Sequence, residues 1–155
     1  MAKPGREEPG EQSEPRSPLP YRVDMTETAE RVYRDLYKKA KVAEQLGHPE
    51  SSHCKTFRIV QEALKTIIPN DPLSRAYALR GELSNIFRLR KGRMRIMWIA
   101  SSAMKRVCIL FISETLRKAG DANDPYEHFQ RLLEAGAFDE ALEELGVRHA
   151  AVKRR

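Results

Sequence analysis

The chain has 155 residues, a formal net charge of +6 and two cysteines. That length suits one domain with a real core and requires no disulfide or metal to hold it, and the surplus of basic side chains favours anionic partners. No apolar run approaches membrane-spanning length and no apolar signal core stands near the start, so a cytoplasmic protein with no membrane association is expected.

Residues 1–20 carry Pro4, Pro9, Pro15, Pro18 and Pro20 with almost no large apolar side chain. They predict a disordered leader. Lys3, Arg6 and Arg16 are outnumbered there by Glu7, Glu8, Glu11 and Glu14, so the positive charge belongs to the rest of the chain. A domain is expected over residues 21–146, with a basic tail over 147–155.

Tyr21 to Val23 reads as a short edge strand. Thr26 or Thr28 can cap a helix with Glu27 and Glu30 at its positive end. Ala29, Val32, Leu36, Ala40, Ala43 and Leu46 recur at helical spacing until Gly47-His48-Pro49 stops the run. Ser51 or Ser52 starts a second helix with the stripe Phe57, Val60, Leu64 and Ile67 or Ile68, ended by Pro69-Asn70-Asp71-Pro72. Two helices with a short break form a hairpin that must lay its apolar stripe on something.

A sheet is expected to receive it. Arg75 to Leu79 reads as a weak strand. Ile86 to Arg90 and Arg93 to Ala100 alternate in period two around a Lys91-Gly92 turn. Phe87, Leu89, Met94, Ile96 and Trp98 then share one face, and Arg88, Arg90, Arg93 and Arg95 share the other. Arg106 to Ile112 is an apolar strand predicted to lie centrally, with Cys108 inside it. Cys54 and Cys108 are far apart and read as free thiols, which suits a reducing compartment. A polar connection runs from Glu114 to Asp124. Asp124 and Pro125 then open a helix with the apolar face Tyr126, Phe129, Leu132 and Leu133, ended by Gly136. Asp139 to Leu145 is a last short helix. The fold class expected is a small α+β protein: a twisted antiparallel sheet packed by an N-terminal helical hairpin, with C-terminal helices.

His48, His53, His128 and His149 are scattered and the cysteines have no partner at ligand spacing, so no metal and no cofactor are expected. There is no glycine-rich phosphate loop, nucleophile elbow or zinc-protease helix motif. What remains is the arginine face. Four like charges on one small surface repel unless an anion lies across them, and the guanidinium fork fits phosphate. Lys91 and Lys118 extend the same surface. Cutting RNA without a metal requires removal of the 2′-hydroxyl proton, stabilisation of the phosphorane and protonation of the departing 5′-oxygen. Arginines serve the second need. Tyr126 and His128 lie just past Arg117 and Lys118 and can serve the others, although Tyr126 is equally a core aromatic and His128 a surface residue. Glu114 either positions an arginine or acts as a base.

The runs Leu79-Arg80-Gly81-Glu82-Leu83, Phe87-Arg88-Leu89-Arg90-Lys91-Gly92-Arg93-Met94-Arg95-Ile96-Met97-Trp98 and Val107-Cys108-Ile109-Leu110-Phe111-Ile112 resemble the RelE/ParE superfamily of bacterial toxins. The segment from Thr115 to Phe129, with Arg117, Lys118, Asp124-Pro125-Tyr126 and His128, is similar to the C-terminal region of YhaV-type toxins. The resemblance spans about Tyr21 to Leu142. It implies a microbial RNase fold and an mRNA interferase, an endoribonuclease of a type II toxin–antitoxin system that acts on messenger RNA at the ribosome. A PrlF-type antitoxin would restrain it, and the complex would bind operator DNA through the antitoxin. By position, Arg95 matches the strand arginine that stabilises the phosphate. Arg88 and Arg90 fall where the superfamily places basic residues on the preceding strand, Arg117 matches a second catalytic arginine, and Tyr126 is a looser match to a C-terminal tyrosine; Lys91, Arg93 and Lys118 join Arg88 and Arg90 as RNA-binding candidates. The family pattern has extra residues before the position of Arg117, where Ser113 and Glu114 stand in a shorter connection. A ParE-like toxin directed at gyrase and a plain nucleic-acid-binding module are the alternatives.

Overall fold

The computed structural model describes residues 20–114 and 125–148. The chain enters on β1 (Arg22–Met25) and turns at once into α1 (Glu27–Gln45). Thr26 makes the corner. Its hydroxyl accepts from the Ala29 amide at 3.1 Å and donates to the Leu110 carbonyl at 2.8 Å, so one side chain caps the helix and ties it to the sheet. Ser51 caps α2 (Ser52–Glu62) in the same way. That helix widens to a π turn over Ala63–Ile67 before α3 (Ile68–Asn70).

The sheet is built from β1, β2 (Phe87–Lys91), β3 (Met94–Ser101) and β4 (Arg106–Glu114), in the order β1-β4-β3-β2. β2, β3 and β4 form the expected antiparallel meander. β1 adds to the edge of β4 in parallel, from Arg22 opposite Arg106 to Met25 opposite Ile109, so the sheet is mixed and not purely antiparallel. Hydrogen bonds from the Tyr21 amide to Pro69 O and from the Arg22 amide to Lys105 O fix that edge.

Two local expectations change. Arg75 to Leu79 is not a strand: Arg75–Tyr77 is a 3₁₀ turn capped by Ser74, and only Ala78 bridges to Phe87. The hairpin turn is Gly92-Arg93 and not Lys91-Gly92, with Lys91 paired to Met94 and Gly92 at φ +56°. Arg93 therefore sits in the turn and leaves the arginine face.

The sheet is buried on both sides. On one face Met94, Ile96, Trp98, Val107, Ile109 and Ile112 meet Leu36, Ala40, Phe57 and Val60 of the helical hairpin. On the other, Met97, Ile99, Leu110 and Phe111 meet Phe129 and Leu133 of α4 (Pro125–Glu134) and Leu142 of α5 (Asp139–Glu144). A β-bulge makes this possible. The β3–β4 register shifts between Met97, opposite Phe111, and Trp98, opposite Ile109, so Leu110 is the extra residue. Leu110 and Phe111 then both serve the α4 side, and Phe111 does not join Ile96, Trp98 and Ile109 on the hairpin side.

Candidate nucleic-acid interface and active site

The α4 side of the sheet is apolar only over part of its length. Cross-strand partners share a face, which places the side chains in rows. Arg88 lies opposite Met97, which lies opposite Phe111. In the next row toward the turn, Arg90 lies opposite Arg95, which lies opposite Ser113. α4 covers the first row and stops there. Its Tyr126 hydroxyl accepts a hydrogen bond from Arg88 Nη1, and the Arg88 guanidinium carbon stands 5.5 Å from the phenol ring centre. His128 packs edge-on against Phe111 with ring centroids 5.3 Å apart. One turn of helix thus sets a phenol over β2 and an exposed imidazole over β4, at the border of the uncovered row.

The row beyond α4, which no helix among the described residues covers, is strongly basic. Arg90 and Arg95 face each other directly, an arrangement in which like charges are destabilising. Among the described residues no carboxylate pairs with Arg88, Arg90, Lys91, Arg93 or Arg95. Arg95 donates Nη1 to the carbonyls of Gly92 at 2.8 Å and Met94 at 3.1 Å, which ties its head to the hairpin turn, and its Nε is buried without a partner among the described residues. Arg90, Lys91 and Arg93 are exposed. Guanidiniums of this kind have the donor geometry that fits a phosphate.

The sequence-derived candidates divide accordingly. The structure brings together Arg88, Arg90, Arg95, Tyr126 and His128. Lys91 pairs with Met94 and so belongs to the opposite face, at its exposed rim, and Arg93 is at the turn. Glu114 also faces the other way. It is paired with Met94, and its Oε2 accepts from Thr56 Oγ1 on α2 at 3.2 Å. Its flank and that of His128 line opposite parts of a cleft of about 450 Å³ along the free edge of β4. Arg117 and Lys118 lie outside the described residues. Ser113, directly across from Arg95, was not singled out from the sequence, because only the bulge sets its face.

A second polar cluster lies at the far end of β4. Arg106 donates Nη2 to Asp24 at 3.1 Å and to Glu144 at 3.2 Å, linking β1, β4 and α5, and both contacts raise its pKa. Burial, then the charges of Asp24 and Glu144, push the neighbouring Cys108 thiol up to about 11, so it stays protonated at neutral pH. This cluster is accounted for by its structural ion pairs. Among the described residues no group of three or more His, Cys, Asp or Glu side chains can hold a metal, and no helix is long and apolar enough to cross a membrane.

The described residues make a small α+β protein with helices on both sides of a mixed sheet and a basic end bordered by a phenol and an imidazole. The chain is a member of the YhaV toxin family, described as toxins with endonuclease activity of a toxin–antitoxin system, whose sequence model matches residues 23–150. Among solved structures, the chain is similar to one in the RelBE2 toxin–antitoxin complex of Mycobacterium tuberculosis, with 26% identity over 64% of this chain and 95% of that one, at a TM-score of 0.45. It is similar to the isolated RelE toxin of E. coli at 19% identity over 72% and 98% of the two chains, with a TM-score of 0.41. A chain of the archaeal RelE–RelB complex of Pyrococcus horikoshii shares 15% identity over 64% and 100%, with a TM-score of 0.37. No curated protein sequence matches the chain.

Proposed function

We propose that this protein is an mRNA interferase: a metal-independent endoribonuclease toxin that cuts messenger RNA at the ribosome. The observation that carries the reading is the Arg90–Arg95 couple, without a carboxylate partner among the described residues and set across the sheet beside Tyr126 and His128. Two opposed guanidiniums cost stability unless a phosphate bridges them.

In the reaction the substrate's 2′-oxygen attacks the adjacent phosphorus and loses its proton to a base. The bond to the 5′-oxygen breaks, and that oxygen takes a proton from an acid. The products are a 2′,3′-cyclic phosphate and a free 5′-hydroxyl. Arg95 stabilises the phosphorane, where negative charge exceeds that of the ground-state diester. Arg117, which the family resemblance matches to a second catalytic arginine, is assigned the same role. Arg88 orients the Tyr126 phenol and, with Arg90 and Lys118, holds the strand. Tyr126 and His128 divide the proton transfers between them. Glu114 plays no part in the proton transfers in this reading, because it stands on the opposite face with Thr56 as partner.

The cognate antitoxin, of PrlF type, restrains the enzyme and carries the complex to operator DNA. Residues 1–20 are a leader outside the catalytic domain, and residues 147–155 are a basic tail.

The test is primer extension on a translated messenger RNA, with and without ribosomes, comparing wild type with Arg95→Ala. Cleavage by wild type alone supports the reading. Equal cleavage by both removes Arg95 from the mechanism. No cleavage by either, in a protein that still arrests growth, moves the function to a gyrase-directed toxin or to binding alone.

A further inference from the structure

Beside the arginine row the sheet has an open flank. β1 pairs with β4 only as far as Met25, opposite Ile109, and Thr26 then ties the chain to the Leu110 carbonyl as it turns into α1. Residues 111–114 of β4 therefore have a strand neighbour on the β3 side alone. In an antiparallel pair, alternate residues turn their backbone N–H and C=O groups away from the partner strand. Here those groups face the open edge, where no backbone group from elsewhere among the described residues meets them. A cleft of about 450 Å³ runs along that edge, walled by side chains of α1 and α4. Its size is in the range of sites for small organic groups.

The cleft continues the arginine row across the sheet. Ser113 stands opposite Arg95, one strand spacing of about 4.8 Å further on, and lines the cleft. The electrostatics change at that step. Arg90 and Arg95 have no carboxylate partner among the described residues. Apart from the imidazole of His128, the cleft sets two cations, Arg31 and Lys39, against two anions, Asp35 and Glu114. Asp35 is paired with Lys39 at 3.0 Å, and Glu114 accepts from Thr56 at 3.2 Å. The Arg31 guanidinium and the hydroxyls of Thr28 and Ser113 are left without a partner among the described residues. Between them Val32 on α1 and Leu132 on α4, both half-buried, make the lining partly apolar. A charge-balanced, partly apolar cleft is a poor place for a phosphate. It suits a flat, uncharged ring with donors and acceptors on its rim.

We propose that this cleft is a nucleobase site, which takes the base of one nucleotide flanking the phosphate held at Arg90 and Arg95 and so sets a sequence preference for cutting. The site rests on the ribonuclease function proposed above. Arg31 supplies a planar donor fork that pairs with or stacks on a base, and the Thr28 and Ser113 hydroxyls can each donate or accept. Val32 and Leu132 cover the faces of the ring. Phosphate contacts along the arginine row hold the strand in register, and the cleft reads it. An added peptide strand is the competing occupant of an open edge. Among the described residues the edge offers it only residues 111–114, and β1 closes it from Ile109 onward, which is shorter than the about five to six residues of an ordinary strand.

The experiment has two arms, both on the full chain, with circular dichroism to verify that Arg31→Ala and Thr28→Val are folded. The first measures fluorescence anisotropy of labelled RNA hexamers with 2′-fluoro groups at every ribose, which lack the attacking hydroxyl and cannot be cut. Removing the base at one position should weaken binding to wild type about tenfold, the contribution of one bound base. The same abasic change should cost either variant less than about threefold. The second arm maps cuts in a translated messenger RNA by primer extension. Wild type should prefer one base at a position flanking the cut, and in both variants the rate at preferred sites should fall about tenfold relative to that at disfavoured sites. A merely structural role would lower both rates equally, and that result overturns the proposal. Hexamers that bind but lose nothing at any abasic position overturn the base site and leave the arginine row standing. Failure of every hexamer to bind also overturns it, and the ribonuclease function falls with it only if wild type leaves the messenger RNA uncut. Displacement of the hexamer by an extended peptide of alternating valine and threonine assigns the edge to an added strand and overturns the proposal.

Discussion

The two faces of the sheet differ in how far their helices cover them. α1 and α2 cover their side from Met94 near the hairpin turn to Val107 near the far end, with apolar contacts throughout. α4 and α5 cover the other side only as far as the row of Arg88, Met97 and Phe111, and leave Arg90, Arg95 and Ser113 beyond it. Strand β3 contributes to both: Ile96 and Trp98 look into the closed layer, and Arg95 and Met97 look into the half-open one. The lesson is a division of labour within single strands. A full apolar layer supplies stability, and the opposite layer can then tolerate opposed like charges at its open end.

The largest expected effect tests the closed layer. Trp98 is fully buried, donates its indole N–H to Pro72 O at 2.9 Å, and stacks on Phe87 with Tyr77 edge-on. Trp98→Ala should cost about 3–5 kcal/mol, combining a large cavity with a carbonyl left unpaired. Chemical denaturation measures it. The specific activity of the fraction still folded should be near wild type. A stability loss under about 1 kcal/mol would mean that the closed layer does not carry the fold.

Arg95→Ala reverses the pattern. Cleavage should fall by about 10²–10³-fold, as for the loss of one preorganised donor to a developing oxyanion. Stability should move by no more than about 1 kcal/mol, since the lost contacts to Gly92 and Met94 carbonyls are offset by relief of repulsion from Arg90. If Arg95→Ala unfolded the protein while leaving residual folded enzyme fully active, the division between the two faces would be wrong.

Much of this was legible in the sequence. Thr26 and Ser51 appear as helix caps, Ala29, Leu36, Ala40 and Ala43 of the α1 stripe are buried with Val32 half-buried, and Phe87, Ile96 and Trp98 share the hairpin side of the sheet. What was not legible depends on contacts distant in sequence. The parallel pairing of β1 with β4 joins residues more than eighty positions apart, such as Arg22 and Arg106, and no local pattern records it. The bulge at Leu110 breaks a run of apolar residues in which period two and its failure look alike, so the face of Phe111, Ser113 and Glu114 could not be read. The turn shifted by one residue because Gly92 takes the left-handed conformation, which moved Arg93 out of the basic row. Arg88, Arg90 and Arg95 survived because strand alternation within β2 and β3 is uninterrupted up to Met97.

Arg88 and Arg90 sharpen the comparison on a smaller scale, because one lies at the border of the α4 cover and the other beyond it. Arg90→Ala should weaken RNA binding several-fold and reduce the slope of log affinity against log salt by about 0.7, one phosphate contact on a single strand. Its kcat should change little. Arg88→Ala should reduce kcat as well, because the Tyr126 phenol loses the hydrogen bond from Arg88. Filter binding across a salt series and single-turnover cleavage separate the two. Identical effects from both substitutions would place Arg88 and Arg90 in one role and remove the border between covered and open rows.

The smallest expected effect falls on Glu114, where the two faces meet at the end of β4. Its strand position pairs it with Met94, on the hairpin side, and Thr56 of α2 donates to its Oε2. Ser113, one residue earlier, faces Arg95. A carboxylate acting as the base would have to reach past the edge of β4 from the wrong side, against the alternation that sets its direction. Glu114→Gln keeps the shape and the acceptor for Thr56 but removes the basic carboxylate. Cleavage should therefore stay within about threefold of wild type, and stability within about 0.5 kcal/mol, as for an exposed neutral-for-charged exchange. Tyr126→Phe and His128→Ala should each cost about 10²-fold or more in the same single-turnover assay, the usual contribution of a positioned acid or base. A drop of that size for Glu114→Gln, with Tyr126→Phe silent, would put the proton transfer on the edge of β4 and turn the active site toward the cleft shared by Glu114 and His128.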